Sequence, residues 1–249
     1  EQGKRVALRT SSALREILTA NEEASGDIPV GEVIRVCMAP PAMYTDLPRA
    51  IQNFIETNPR ILLNLRESNV ADSVHALLQD EVDVVITGND PAFSNQESGD
   101  QIFVKPLPTD YYQLFISATA HLDDGWTATP ESIRNLSWIL PIKDSFVRGM
   151  LDDWFLTRGL SPPSSYIELT PLTVAIEMLR TFPYVALLPA GLSRTADFNH
   201  LIPIADEVMS LPIKLVVACK RRQFGRPAVS AFVDDVVAAC GGMDVDGLD

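Results

Sequence analysis

Between residues 33 and 89 the apolar and polar positions follow two rhythms in turn. Residues 33–39, Val-Ile-Arg-Val-Cys-Met-Ala, are β-branched and apolar and stop at Pro40-Pro41, which predicts a strand. The period then becomes helical: Leu47, Ile51, Phe54 and Ile55 share one face, and Asn58-Pro59 ends the run. Residues 61–67 read as a second strand. Val74, Leu77 and Leu78 mark a second helix, and residues 82–87 form a third strand closed by Gly88-Asn89-Asp90. Such alternation predicts a parallel sheet with right-handed crossovers. Ligands on open parallel sheets sit beyond the carboxyl ends of strands. The loops at 40–45 and 88–91 are therefore the first places to look for a pocket.

Further along, residues 103–108 and 111–118 are extended, and residues 135–141 form a short strand. Asp144 or Ser145 caps a helix carrying Phe146, Met150, Leu151, Trp154 and Phe155, which stops near Gly159. Residues 166–169 are a strand. Thr170-Pro171 reads as an N-cap followed by proline at the first helical position. Residues 184–189 and 213–219 are strands. A closing helix opens at Pro227, carries Val229, Phe232, Val233, Val236, Val237 and Cys240 on one face, and ends at Gly241-Gly242. Ahead of all this, residues 4–25 predict a polar helix with a thin seam of Ala7, Leu14 and Leu18, narrow enough for docking on another helix.

Composition narrows the function classes. Twenty basic residues stand against 33 acidic ones, a formal net charge of −13, which speaks against phosphate neutralisation by this chain. The basic cluster Lys220-Arg221-Arg222 with Arg226 reads as a solvated loop after a strand rather than a phosphate site. Cys37, Cys219 and Cys240 are odd in number and far apart, which fits reduced buried thiols and a cytoplasmic location. No apolar run reaches the ~18 residues of a membrane span. The first residues do not read as a signal peptide.

Chemistry-bearing patterns are sparse. His75, His121 and His200 are isolated from one another and from any cysteine pair, so no metal site is expected. Neither a nucleophile elbow nor a phosphate loop nor a dinucleotide fingerprint is present, and no cofactor is expected. Asp152-Asp153 and Asp234-Asp235 are helix neighbours pointing about 100° apart, unsuited to paired-carboxylate catalysis. The capped helix starts at Ser145 and Thr170 offer free N–H groups that suit an anion.

The order of elements resembles the effector-binding region of LysR-type transcriptional regulators. The strand at 33–39 followed by Leu47-Pro48 through Phe54 and Asn58-Pro59 is similar to that family's opening. Leu77-Leu78-Gln79-Asp80-Glu81-Val82-Asp83 through Ile86 matches a second segment. His121-Leu122, the helix of Ser145, Arg148, Leu151 and Phe155, Leu187-Leu188-Pro189, Leu211-Pro212-Ile213 and the closing helix complete the order. Two departures stand out: Pro40-Pro41-Ala42-Met43 lacks the usual hydroxyl after the first strand, and Thr181-Phe182-Pro183-Tyr184 replaces a glycine-rich turn.

The resemblance implies an α/β fold of the type 2 periplasmic-binding-protein kind, with two Rossmann-like subdomains joined by two crossover strands. Lobe one is expected at residues 30–107 with 211–241, and lobe two at 108–210. Residues 1–29 would end a linker helix used for dimerisation, and 242–249 form an acidic tail. A small organic, anionic effector is expected between the lobes, at Pro40, Pro41, Ala42, Met43, Thr45, Gly88, Asn89, Asp90, Ser145, Phe146, Thr170 and Pro189. The resemblance further implies a homodimer or homotetramer, contact with DNA only through a winged helix-turn-helix outside this chain, no membrane contact, and no enzymatic activity. The rival readings are a solute-binding protein of the same fold and an enzyme using the same cleft.

Overall fold

The computed structural model describes residues 32–89, 93, 102–120, 122, 124–194, 198–204 and 208–241. The expected linker helix, Asp90 and the acidic tail lie outside the described residues. The chain forms two compact units. The first ends at Thr109 and resumes at Lys214; the second is Asp110–Ile213.

In the first unit, strands β1 (Val33–Met38), β2 (Leu62–Glu67) and β3 (Val84–Gly88) pair in parallel, with β1 in the middle. Two antiparallel strands, β11 (Leu215–Lys220) and β4 (Ile102–Pro106), complete the order β2-β1-β3-β11-β4. Helix α1 (Leu47–Thr57) buries Leu47, Ala50, Ile51 and Phe54, the i, i+3, i+4, i+7 spacing of one face. Ile55, expected on that face, is 45% exposed. It lies one residue past Phe54 and so turns about 100° away from it. Asn58 closes α1 by donating its side-chain amide to the Phe54 carbonyl. Phe54 meets Phe232 of the closing helix α7 (Pro227–Gly241) edge to face, at 5.1 Å between centroids. The opposite face of the sheet, with Cys37, Val85 and Ala218, packs on Ala76 and Leu77 of α2 (Val70–Leu78).

A network of buried charges closes the end of this sheet where β1 and β3 begin. Asp83 is fully buried and accepts four N–H groups: Arg35 N, Nε and Nη2, and Arg226 Nη1. Arg226 also binds Glu32 through Nε and Nη2 and donates to Gln223. Lys220, 2% exposed, donates to the Leu78 carbonyl and pairs with Asp80, which stands at φ 59° just past α2. The basic cluster read from the sequence is thus partly structural. Lys220 and Arg226 tie the first unit together, and Arg222, in the short helix α6 (Arg221–Phe224), pairs with Asp80.

The second unit is a six-stranded sheet, β10-β5-β8-β6-β7, with β9 also pairing with β5. Its strands are β5 (Asp110–Ser117), β6 (Trp138–Pro141), β7 (Tyr166–Leu169), β8 (Val185–Pro189), β9 (Leu201–Ile204) and β10 (Ser210–Ile213). Helix α3 (Pro130–Arg134) starts with a capping box between Thr129 and Ser132. Helices α4 (Phe146–Leu156) and α5 (Leu172–Met178) follow β6 and β7. The return to the first unit falls at Lys214. Leu211-Pro212-Ile213, assigned from the sequence to lobe one, pairs with Asp110–Tyr112 of β5. Likewise the strand read at 213–219 begins only at Leu215. The alternation runs unbroken through the junction, Leu211, Ile213 and Leu215 all being buried. Hydrophobic pattern therefore cannot mark the change of sheet.

Cys37 and Cys219 are buried free thiols and Cys240 is half-buried. Burial pushes the Cys219 thiol up to about 12, and burial, helped by Asp46, pushes Cys240 up to about 11. Native protein treated with iodoacetamide at pH 8 should therefore keep Cys219 unmodified, and urea should expose it. Peptide mass spectrometry reads this directly. Labelling of Cys219 within minutes in native buffer would contradict its burial.

Candidate functional site

In the first unit, adjacent parallel strands bring two of the expected loops together. Met38 pairs with Ile86, and Ala39 N donates to the Ile86 carbonyl at 2.8 Å, so the loops after β1 and β3 leave the same edge of the sheet. The first loop is a 3-10 helix, Pro40–Tyr44. Pro41 and Ala42 are buried in it and face the unit's own packing, whereas Pro40 is half-buried and Met43 is 40% exposed. The Thr45 hydroxyl donates to the Ala42 carbonyl at 2.7 Å and accepts from Leu47 N, so it serves the turn first. Pro48, in the first turn of α1, has no N–H to offer. After β3, Gly88 is half-buried and Asn89 is exposed.

Two hydroxyls near these strand ends, Thr87 and Ser73, were not singled out from the sequence. The Thr87 hydroxyl is fully buried and has no partner among the described residues. Cys37 Sγ lies 3.4 Å from Ser73 Oγ, which donates to the Asn69 carbonyl. Thr87 had one usable signal, a hydroxyl inside an otherwise apolar central strand. The start of α2 is already occupied by its own side chains. Asn69 accepts from Asp72 N and donates to the Asp72 carboxylate, both at 2.8 Å, which leaves an anion no welcome there. The Tyr44 phenol is pushed up, first by burial and then by Glu67, and stays protonated at neutral pH.

In the second unit, Pro141 pairs with Leu169, so the loops after β6 and β7 also share one edge. Ser145 caps α4 as the sequence indicated, its hydroxyl accepting from Arg148 N at 3.2 Å. Phe146 follows directly and is 68% exposed. Thr170 is exposed but is not a cap. The cap position is Pro171, with ψ 119° and no side-chain acceptor, and the helix begins at Leu172. The sequence reading put the helix one residue early because proline suits N1, yet here it stands just outside. Helix α5 has only seven residues, which further weakens its N-terminus as an anion site. Pro189 is buried and paired with Tyr112 inside the sheet, so its ring is committed to the unit's core.

Among the described residues no group of three or more His, Cys, Asp or Glu side chains is placed to hold a metal ion. No helix among them is long and apolar enough to cross a membrane.

The family model described as the LysR substrate binding domain matches residues 29–241. No curated protein matches the chain. Among solved structures, the cofactor-binding domain of the Cbl transcriptional regulator is similar at TM-score 0.69 and 20% identity, over 88% of this chain and 92% of that one. Full-length BenM is similar at TM-score 0.65 and 16% identity, over 94% and 76%. CbnR, a LysR family transcriptional regulator, is similar at TM-score 0.64 and 17% identity, over 96% and 78%. At such identities the structural likeness establishes the fold: α/β, of the periplasmic-binding-protein kind expected from the sequence.

Proposed function

The chain belongs to the LysR substrate binding domain family, and on that premise we propose that it senses a small organic effector through the strand-end loops of its two units. In the first unit the contacts are Pro40, Met43, Gly88 and Asn89, with Asp90 following. In the second they are Ser145, Phe146 and Thr170. The observation that carries this reading is Phe146. A phenylalanine 68% exposed at the first position of a capped helix, at the carboxyl end of a parallel strand, offers an apolar surface where open parallel sheets meet their ligands.

The effector accordingly has an apolar body that packs on Phe146. It also has an anionic group suited to the free N–H donors in the first turn of α4. Helix α1 contributes little to that charge, because Pro48 lacks a donor and Thr45 is committed to its turn. Benzoate, the effector named for BenM, has this chemistry and is a reasonable first compound to try. Binding would act by population shift, favouring one arrangement of a homodimer or homotetramer. DNA would be contacted through a winged helix-turn-helix that these residues do not include, in a cytoplasmic regulator without enzymatic activity. The net charge of −13 supports the assignment of DNA contact to another segment.

Native mass spectrometry of freshly purified protein identifies the bound metabolite, and calorimetry then tests the site. Ser145→Trp should weaken binding at least about tenfold while its thermal transition falls no further than that of Ser145→Ala. Ser145→Ala should chiefly cost α4 its cap, about 1 kcal/mol of stability. Unchanged affinity in a folded Ser145→Trp protein would place the ligand elsewhere.

A further inference from the structure

Arg148 is a cation buried to 4% exposure in the first turn of α4. A buried cation needs a reason, because desolvating a guanidinium costs several kcal/mol unless it is fully paired. Its partners lie on three elements. Nε binds Asp152 one turn along its own helix at 2.9 Å. Nη1 donates to the carbonyl of Pro141, the last residue of β6, at 3.2 Å, and to Glu168 of β7 at 3.3 Å. The guanidinium stands over the Tyr166 ring of β7, 5.2 Å from its centroid. Its own backbone N–H is the one taken by the Ser145 hydroxyl. One side chain thus ties the start of α4 to the carboxyl ends of both strands from which the candidate loops depart.

We propose that Arg148 is the positioning residue of the effector site in the second unit. It fixes where the ring of Phe146 and the open N–H groups of α4 stand relative to the loop at Thr170, without touching the ligand itself. The inference rests on the proposed function for its biological meaning, but the geometry it asserts can be tested with no effector present. Lysine cannot replace the fork: it carries the charge but has one nitrogen for acceptors on three elements.

The test is amide hydrogen exchange of the whole chain, with the thermal transition measured alongside. Two amides report on the first turn: Arg148 N, bonded to Ser145 Oγ, and Gly149 N, bonded to the Ser145 carbonyl. In Arg148→Met, which keeps the stem, these amides should exchange roughly tenfold faster, while Leu114–Ile116 and Val185–Leu187 in the centre of the same sheet keep their rates. Arg148→Lys should fall between. If Arg148→Met does not fold, Glu168→Gln, which weakens one tie outside the helix, should show the same local pattern to a smaller degree. Exchange that rises equally across the second unit would mean a general stabilising role, and unchanged exchange would mean none. Either result overturns the proposal, whatever the effector proves to be.

Discussion

Replacing Asp83 by asparagine is expected to destabilise the first unit by about 3–5 kcal/mol, the usual cost of breaking a buried ion pair from one side. That is a large part of the ~5–15 kcal/mol that holds a typical domain together. The carboxylate accepts four N–H groups from Arg35 and Arg226. Without its charge, Arg226 would keep Glu32 and Arg35 would lose its carboxylate partner. Burial by itself would raise the Asp83 pKa, but the hydrogen bonds and charges of Arg35, with the charge of Arg226, outweigh it and hold the carboxyl below its ordinary range. A group with a depressed folded pKa contributes stability that is full above the unfolded value, near 4, and is lost as pH falls through the folded value. Urea midpoints of the wild-type protein should therefore drop on acidification below about pH 4, and Asp83→Asn should flatten that drop. A loss under about 1 kcal/mol at pH 7 would show that the network contributes little.

Removing the indole of Trp138 should cost the second unit about 3–5 kcal/mol. Trp138 is fully buried, its ring meets Phe155 edge to face at 6.2 Å, and its Nε1 donates to the Ile133 carbonyl at 3.0 Å. Trp138→Ala leaves a cavity between β6 and α4 and strips a partner from the end of α3. Trp138→Phe fills most of the volume and removes one hydrogen bond, while the Ile133 carbonyl keeps Leu136 N at 3.2 Å, for an expected loss of about 1 kcal/mol. The two variants together separate packing from hydrogen bonding. Equal losses in both would assign the whole effect to the hydrogen bond. Because the chain folds as two compact units, the Asp83 and Trp138 variants should both be followed by exchange as well as by denaturant. All three tryptophans, Trp126, Trp138 and Trp154, lie in the second unit, so intrinsic fluorescence reports on it in the Asp83 series.

What the sequence by itself determined was the element order and much of the sidedness. The β-branched run at Val33–Met38, the helical spacing of Leu47, Ile51 and Phe54, and the apolar face of α7 each specify one local periodicity. Periodicity is a local property, so it survives without knowledge of the partners. The Ser145 cap was legible for the same reason, since a cap and the N–H it accepts lie three residues apart. The tertiary structure alone decided where partners distant in the chain meet. It sent Leu211–Ile213 to β5 and Leu215 onward to β3, though the alternation of buried and exposed positions is continuous across Lys214. It turned Pro41 and Ala42 into the core of their unit, because a loop's side chains face whatever packs beneath them, and it placed Pro189 inside the sheet opposite Tyr112. It joined Asp83 to Arg226 across 143 positions and Arg148 to Glu168 across 20. A charged residue in a sequence reads as surface until its counter-ion is brought to it, and only the folded chain does that.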